Sequence, residues 1–331
     1  MLEYHLPSEL IANSPANPRD SSRLLVYSRA TKSISHDRFY NLQNYLPENL
    51  SIIFNSTKVI KARLYGLKET GGKLELLYEK QGDRGYIFQI GGRVKEGSRI
   101  VFEGGYEGRV VKLLEDGFRE VAISRDGKNL ELDELFMFFE KHGHTPLPPY
   151  IKREDNIEDS SDYQSVFASQ EGSVAAPTAS LHFSKEMFER FWSEYSCAFV
   201  TLHVGSGTFK PLSSEDIYAH KMHSEVYEIT PEAMNLIEED KKLMCVGSTA
   251  LRTVEEYARS GKKSGETSIY ITPKNPPKRT DILLTNFHLP KTSLLVMVAA
   301  MIGEGELKRV YEEAVKKKYR FFSYGDAMLI L

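Results

Sequence analysis

Glycine divides this chain: none occurs before Gly66, and 13 of the 23 then fall between Gly66 and Gly127. Between those glycines lie six short runs, KARLYGL, GKLELLYEK, GYIFQIGG, SRIVFEGG, EGRVVKLL and FREVAIS, each rich in residues that suit a pleated surface. Turn glycines spaced in this way among β-prone runs predict a small barrel or sandwich. The flanks follow another rhythm. Ser184 stands before a helical stripe of Phe188, Phe191, Trp192 and Tyr195, and the strand-like CAFVTL follows. Thr230 followed by Pro231 is an N-cap with proline at the first helical position, then come the strand LMCVG, a helix STALRTVEEYARS stopped by Gly261, and a last stripe through Leu307, Val310, Tyr311, Ala314 and Val315. The run SIIFNST closing the first 60 residues is apolar enough to be a fully buried strand and belongs with this alternating part. The expected fold is therefore a discontinuous α/β domain, residues 1–60 and 144–331, interrupted by an inserted small all-β barrel domain, residues 61–143. The proline-rich TPLPPY at 145–150 would be a stiff return linker.

Composition narrows the function classes. A net charge of −3 means that a nucleic-acid partner would have to be held by local basic patches. The runs KKKYR at 316–320 and PKNPPKR at 273–279 are the candidates, against a default of solvated surface. Cys197 and Cys245 sit in apolar runs without CxxC spacing and read as free thiols of a reducing compartment. The longest apolar run, LLVMVAAMI, falls short of the roughly 20 residues that span a bilayer, so a cytoplasmic protein with no membrane partner is expected. The chain has no GxxxxGK[ST], GxSxG or HExxH, and GSGTFK lacks the third glycine of a dinucleotide fingerprint.

Two loops carry the chemistry. Residues 172–184, GSVAAPTASLHFS, hold no charge and no large side chain until Leu181, so a ligand can come within reach of the main chain. Residues 201–212, TLHVGSGTFKPL, repeat the composition at a strand end, where open α/β sheets bind ligands. At the next strand end Ser248 and Thr249 open a helix whose N-terminus favours a carboxylate or phosphate, with Arg252 one turn on. His182, His203, His223 and His288 are all in loop-like settings, and imidazole titrates near ~6.5. His220, His223 and Glu225 form the one metal-like cluster. The tail YRFFSYGDAM groups Arg320, Tyr324 and Asp326 around a glycine turn.

Taken together, FNSTKVIKARLYG, GGKLELL, GHTPLPPYI, SVAAPTASLHF, TLHVGSGTFKPL, MHSE, VGSTALRTVEEY, TNFHLP and YRFFSYGDAML resemble the S-adenosylmethionine:tRNA ribosyltransferase-isomerase family over almost the whole chain. The resemblance implies an enzyme of queuosine biosynthesis with an α/β domain interrupted by a β-barrel. It implies S-adenosylmethionine as ribosyl donor, no metal, and as acceptor a tRNA bearing 7-aminomethyl-7-deazaguanine at the wobble position. Epoxyqueuosine-tRNA, adenine and methionine would be the products, with a monomer as the working expectation. On that footing His203 or Asp326 is the base beside the sulfonium, and His182 and His288 are alternative proton donors to adenine. Gly205, Ser206, Gly207, Thr208, Thr178 and Tyr324 would hold the donor, and Arg252 its methionine carboxylate. Asn55, Lys58, Arg63 and Arg320 would meet RNA. The chain departs from the family pattern at Ser56, Lys61 and Ser180, the last replacing a glycine, and across residues 268–285, from which no site residue is drawn. Two other classes stay open: an RNA-binding protein without catalysis, and a metal-dependent hydrolase using His220, His223 and Glu225.

Overall fold

The computed structural model describes residues 3–209, 212, 217–220 and 222–331. The chain divides into two compact units, one of Met1–Lys58, Ser161–Gln170 and Ala176–Leu331, the other of Val59–Ser160 and Glu171–Ala175. The TPLPPY stretch thus groups with the second unit.

In the first unit nine strands form one mixed sheet. Their order is Ser264–Thr267, Glu225–Ile229, Ser196–Leu202, Leu50–Asn55, Lys242–Val246, Ile282–Asn286, Ala327–Ile330, Arg23–Tyr27 and Ile34–Arg38. The four strands from Ser196–Leu202 to Ile282–Asn286 run parallel, and Leu50–Asn55, which holds the SIIFN of SIIFNST, lies among them with all six residues buried. A strand covered on both faces needs apolar residues at every position, which is why this run shows no alternation. Ile52, Phe54, Val246, Leu284 and Leu329 pack beneath Phe183, Met187 and Phe191 of the following helical segment. Each such side chain removed from water contributes on the order of 1.5–3 kcal/mol.

The helices start where short polar residues can take an amide proton. Ser184 accepts from Met187 N–H, Thr230 from Ala233 N–H and Thr292 from Leu295 N–H, opening Lys185–Glu194, Pro231–Glu238 and Ser293–Ile302. The last of these is LLVMVAAMI, a helix the periodicity does not reveal because it is apolar on every side. Gly247–Ser260 begins differently, after Val246 and with no side-chain cap, and stops at Gly261 in the left-handed conformation. Because the central strands are parallel, Asn55, Leu202, Val246 and Asn286 end at one edge of the sheet.

The second unit is a barrel. Phe118–Arg125, Tyr86–Gly91, Lys73–Gln81, Arg63–Lys68, Arg99–Val101 and Tyr106–Leu113 pair antiparallel in that order, and the last strand returns to the first to close the ring. Each of the six glycine-bounded runs supplies one strand, and closure leaves none of them with a free edge. The helix Leu132–His142, not foreseen from the sequence, adds Leu135, Phe138 and Phe139 to the barrel core. The architecture is the α/β fold interrupted by a small β-barrel that the glycine distribution predicts. No helix among the described residues is long and apolar enough to cross a membrane.

Candidate active site

At the carboxyl ends of the parallel strands lies a cleft of about 630 Å³, counted with the solvent space open to it. Residues 176–179, from the uncharged loop, form one wall, and Val204 follows the strand Ser196–Leu202 into it. The first turn of Gly247–Ser260 and the turn holding Phe322 and Ser323 line other sides. Thr285, Asn286 and His288, at and beyond the end of the strand Ile282–Asn286, line a further side with Leu289, Thr292 and Leu294. Gly247 adopts φ +87°, and a β-carbon there would touch the Ala179 methyl, so two thin segments meet where the cleft begins.

His288 is the histidine of this cleft among the described residues, 7% exposed, with Nε2 2.9 Å from Thr285 Oγ1. Its N–H donates to the Tyr311 hydroxyl at 3.2 Å and its carbonyl accepts from Tyr4. Burial without a compensating carboxylate pushes its pKa down to about 3, so the ring is neutral. His182 stands behind the wall. Its Nδ1 is 2.9 Å from Ser22 Oγ and its Nε2 3.2 Å from Asn286 Oδ1. Burial holds its pKa at about 4, despite the opposing pull of Asp326 and of the Asn286 bond. The Asn286 amide nitrogen donates to the carbonyls of Phe322 at 2.9 Å and Ser323 at 3.2 Å. Phe322 needs that support: its φ of +77° is left-handed, a strain of order 1–3 kcal/mol for a bulky residue. A second tie, from Phe322 N–H to Phe287 O at 3.0 Å, completes the clamp.

Of the residues singled out in the sequence, Thr178 and His288 line the cleft and His182 backs it through Asn286. His203 does not join them. It precedes Val204, just past the strand end, and lines a separate groove with Thr201, Tyr227, Glu228 and Gly265. There Nδ1 is 2.8 Å from Thr57 Oγ1, and burial lowers its pKa against the influence of Glu228. Asp326 is likewise placed otherwise than a base requires. It is 1% exposed, and its carboxylate accepts from Arg23 N–H at 3.0 Å, Arg320 N–H at 2.8 Å and the Arg320 guanidinium at 3.3 Å. Arg320 also reaches Ser14 O at 3.4 Å, so its guanidinium ties the tail turn to the N-terminal segment.

Arg252 is buried in an ion pair with Glu225, whose other oxygen accepts from Gly205 N–H at 3.0 Å. The pairing withdraws Arg252 from a substrate carboxylate and Glu225 from a metal set with His220 and His223. Ser206 and Gly207 lie in a short 3-10 turn, where any β-carbon at Gly207 would collide with the His223 ring; the Thr208 side chain lies outside the described residues. Tyr324 is 2% exposed and packs edge-on against Tyr163 at 5.9 Å. Asn55 is fully buried, its amide exchanging bonds of 3.1 Å with Leu202 N–H and O and accepting Thr57 N–H, which leaves no face for RNA. Lys58 is half-buried. In the barrel unit Arg63 pairs with Glu75 at 3.0 Å and donates to Leu147 O at 2.8 Å. Ser180 sits in a 3-10 turn at an ordinary φ, so the glycine it replaces is not needed for backbone freedom here.

A family profile described as queuosine biosynthesis protein matches residues 1–330. The chain belongs to the queuosine biosynthesis protein family. A Sulfurimonas denitrificans protein named S-adenosylmethionine:tRNA ribosyltransferase-isomerase is 50% identical over 331 residues, 99% of this chain and 97% of that one. A Campylobacter jejuni protein of the same name is 49% identical over 333 residues with the same two coverages. A crystal structure of S-adenosylmethionine tRNA ribosyltransferase from Thermotoga maritima is 32% identical, with a TM-score of 0.55 over 100% of this chain and 99% of that one. For this member of the queuosine biosynthesis family, Thr285, Asn286 and Phe322 are cleft residues not singled out as site residues in the sequence. Thr285 even falls inside the divergent stretch 268–285. The apolar run ILLT ending at Asn286 was the available signal for a strand end there.

Proposed function

We propose that this chain transfers the ribosyl part of S-adenosylmethionine to 7-aminomethyl-7-deazaguanine at the tRNA wobble position and isomerises it, giving epoxyqueuosine-tRNA, adenine and methionine. The observation that carries this reading is the half-identical, full-length match to proteins named for that activity. A strand-end cleft walled in part by small side chains is consistent with it.

The donor lies against residues 176–179, where Thr178 and nearby main-chain groups come within reach of it. His288 is held neutral, so it assists adenine departure by a hydrogen bond to a ring nitrogen and does not arrive as an imidazolium. Thr285 fixes the imidazole plane through its 2.9 Å bond to Nε2. His182 acts at one remove, keeping Asn286 oriented so that the strained Phe322 turn retains its place on the cleft. The exposed Lys316, Lys317 and Lys318 offer their ammonium groups to tRNA phosphates.

The deciding experiment follows adenine release by chromatography, with S-adenosylmethionine and either tRNA carrying the aminomethyl base or tRNA carrying guanine. Release confined to the modified tRNA supports the reading. No release from folded enzyme with intact modified tRNA removes it.

A further inference from the structure

We propose that the first turn of the helix Gly247–Ser260, together with the Thr249 hydroxyl, is the subsite for the α-carboxylate of the amino-acid part of S-adenosylmethionine. The inference rests on the reading that this donor occupies the cleft.

Two independent observations point to an anion there. The first is the helix end. Gly247, Ser248 and Thr249 all line the cleft, and the helix runs for 14 residues, long enough to develop its dipole. Its opening N–H groups have no acceptor within the helix, and Val246 at the cap position has no side-chain oxygen to offer. Ser184, Thr230 and Thr292 cap the three helices named above, so the turn at 247–249 keeps donors that those helices satisfy internally. The second observation is Thr249 itself. It is 8% exposed, and its Oγ1 is buried without a hydrogen-bond partner among the described residues. A buried hydroxyl is ordinarily partnered, and a carboxylate seated on the helix end would accept from it. A β-carbon at Gly247 would stand 3.9 Å from this oxygen, which places the hydroxyl beside the first residue of the helix.

Charge favours the same assignment. Arg252, one turn further on, is neutralised by Glu225. The donors left at the helix end are uncharged N–H and O–H groups. S-adenosylmethionine brings its own sulfonium and ammonium, and a carboxylate held by neutral donors adds no further positive charge beside them.

The test compares adenine release from S-adenosylmethionine and from its decarboxylated analogue, with modified tRNA, for the wild type, Thr249→Val and Thr249→Ser. Wild type is expected to favour the carboxylated donor, mainly through KM. Thr249→Val should shrink that preference by about tenfold, the worth of one hydrogen bond to a charged group, and Thr249→Ser should restore it. An equal loss on both donors would mean a structural role. A change confined to the KM for tRNA would mean a phosphate site. Either overturns the proposal, as does a wild type that releases adenine equally well from both donors. A wild type that releases no adenine from either overturns the reaction reading, and the subsite with it. Thermal melts of the variants separate misfolding from altered recognition.

Discussion

His182 donates its Nε2–H to Asn286 Oδ1 across 3.2 Å. The direction follows from the far end of the amide, whose nitrogen is engaged by two carbonyls, leaving only the acceptor oxygen for the histidine. His182 is thereby the Nε2–H tautomer, and its Nδ1 accepts from the Ser22 hydroxyl. A chain from Ser22 through His182 and Asn286 ends on the Phe322 turn.

Asn286→Leu keeps the volume and deletes both amide ends. It leaves the His182 N–H and two carbonyls unpartnered, at a cost of about 2–4 kcal/mol in urea unfolding. Donor KM should rise as the Phe322 wall relaxes. An unchanged unfolding midpoint would show that the chain of bonds carries no stability.

Stability should also fall on mild acidification. His182 and His288 are neutral in the fold down to about pH 4 and about pH 3, whereas in the unfolded chain they take a proton near pH ~6.5. Below that value the unfolded state binds more protons, so each buried histidine removes about 1.4 kcal/mol per pH unit until its own folded pKa is reached. The stabilisation is complete above pH ~6.5 and declines beneath it. Urea titrations at pH 7.5, 6 and 5 measure the slope; a flat profile over that range would contradict the burial of both rings.

Arg252→Met leaves Glu225 charged and buried, and should destabilise the enzyme by about 3–5 kcal/mol. Combining it with Glu225→Leu should recover most of the loss, because the uncompensated charge is then gone. Were Arg252 instead a substrate ligand, the single variant would stay stable and lose donor affinity. The pair of unfolding curves and the donor KM distinguish the two.

Asp326→Asn should behave as a structural lesion. The carboxylate holds the main chain of Arg23 and Arg320, and an amide can accept only part of those bonds. Loss of stability with the pH dependence of turnover retained is the expected result; a missing acidic limb in that profile would return Asp326 to the role of base.

The larger features were legible because they depend on local pattern. Six glycine-bounded runs became six barrel strands, and SIIFNST became a central strand because only a doubly covered strand tolerates such a run. The cleft lies at the strand ends that TLHVGSG and CVGSTALRT marked. What escaped was decided by partners far away in sequence. Nothing near Arg252 announces Glu225, and nothing near Asp326 announces the amide of Arg23. His203 and Val204 are adjacent, yet the first lines a separate groove and only the second lines the cleft. Glu255, fully buried, binds the N–H groups of Lys278, Arg279 and Thr280 at 2.7–2.9 Å, so the divergent segment is anchored by a helix residue that looks like ordinary surface charge.

The strand Ala327–Ile330 lies between Ile282–Asn286 and Arg23–Tyr27, parallel to the latter, with Leu24 opposite Ala327. On the ribosome, therefore, the strand made first waits for one made nearly a whole chain later. Until then Leu24, Leu25 and Val26 present an apolar edge with unpaired amides, and the barrel, whose contacts are close in sequence, can already be folded. Once residue 175 has emerged, a growing chain of this enzyme can be half-native, with its active half exposed to aggregation and to chaperones until residues 327–330 follow.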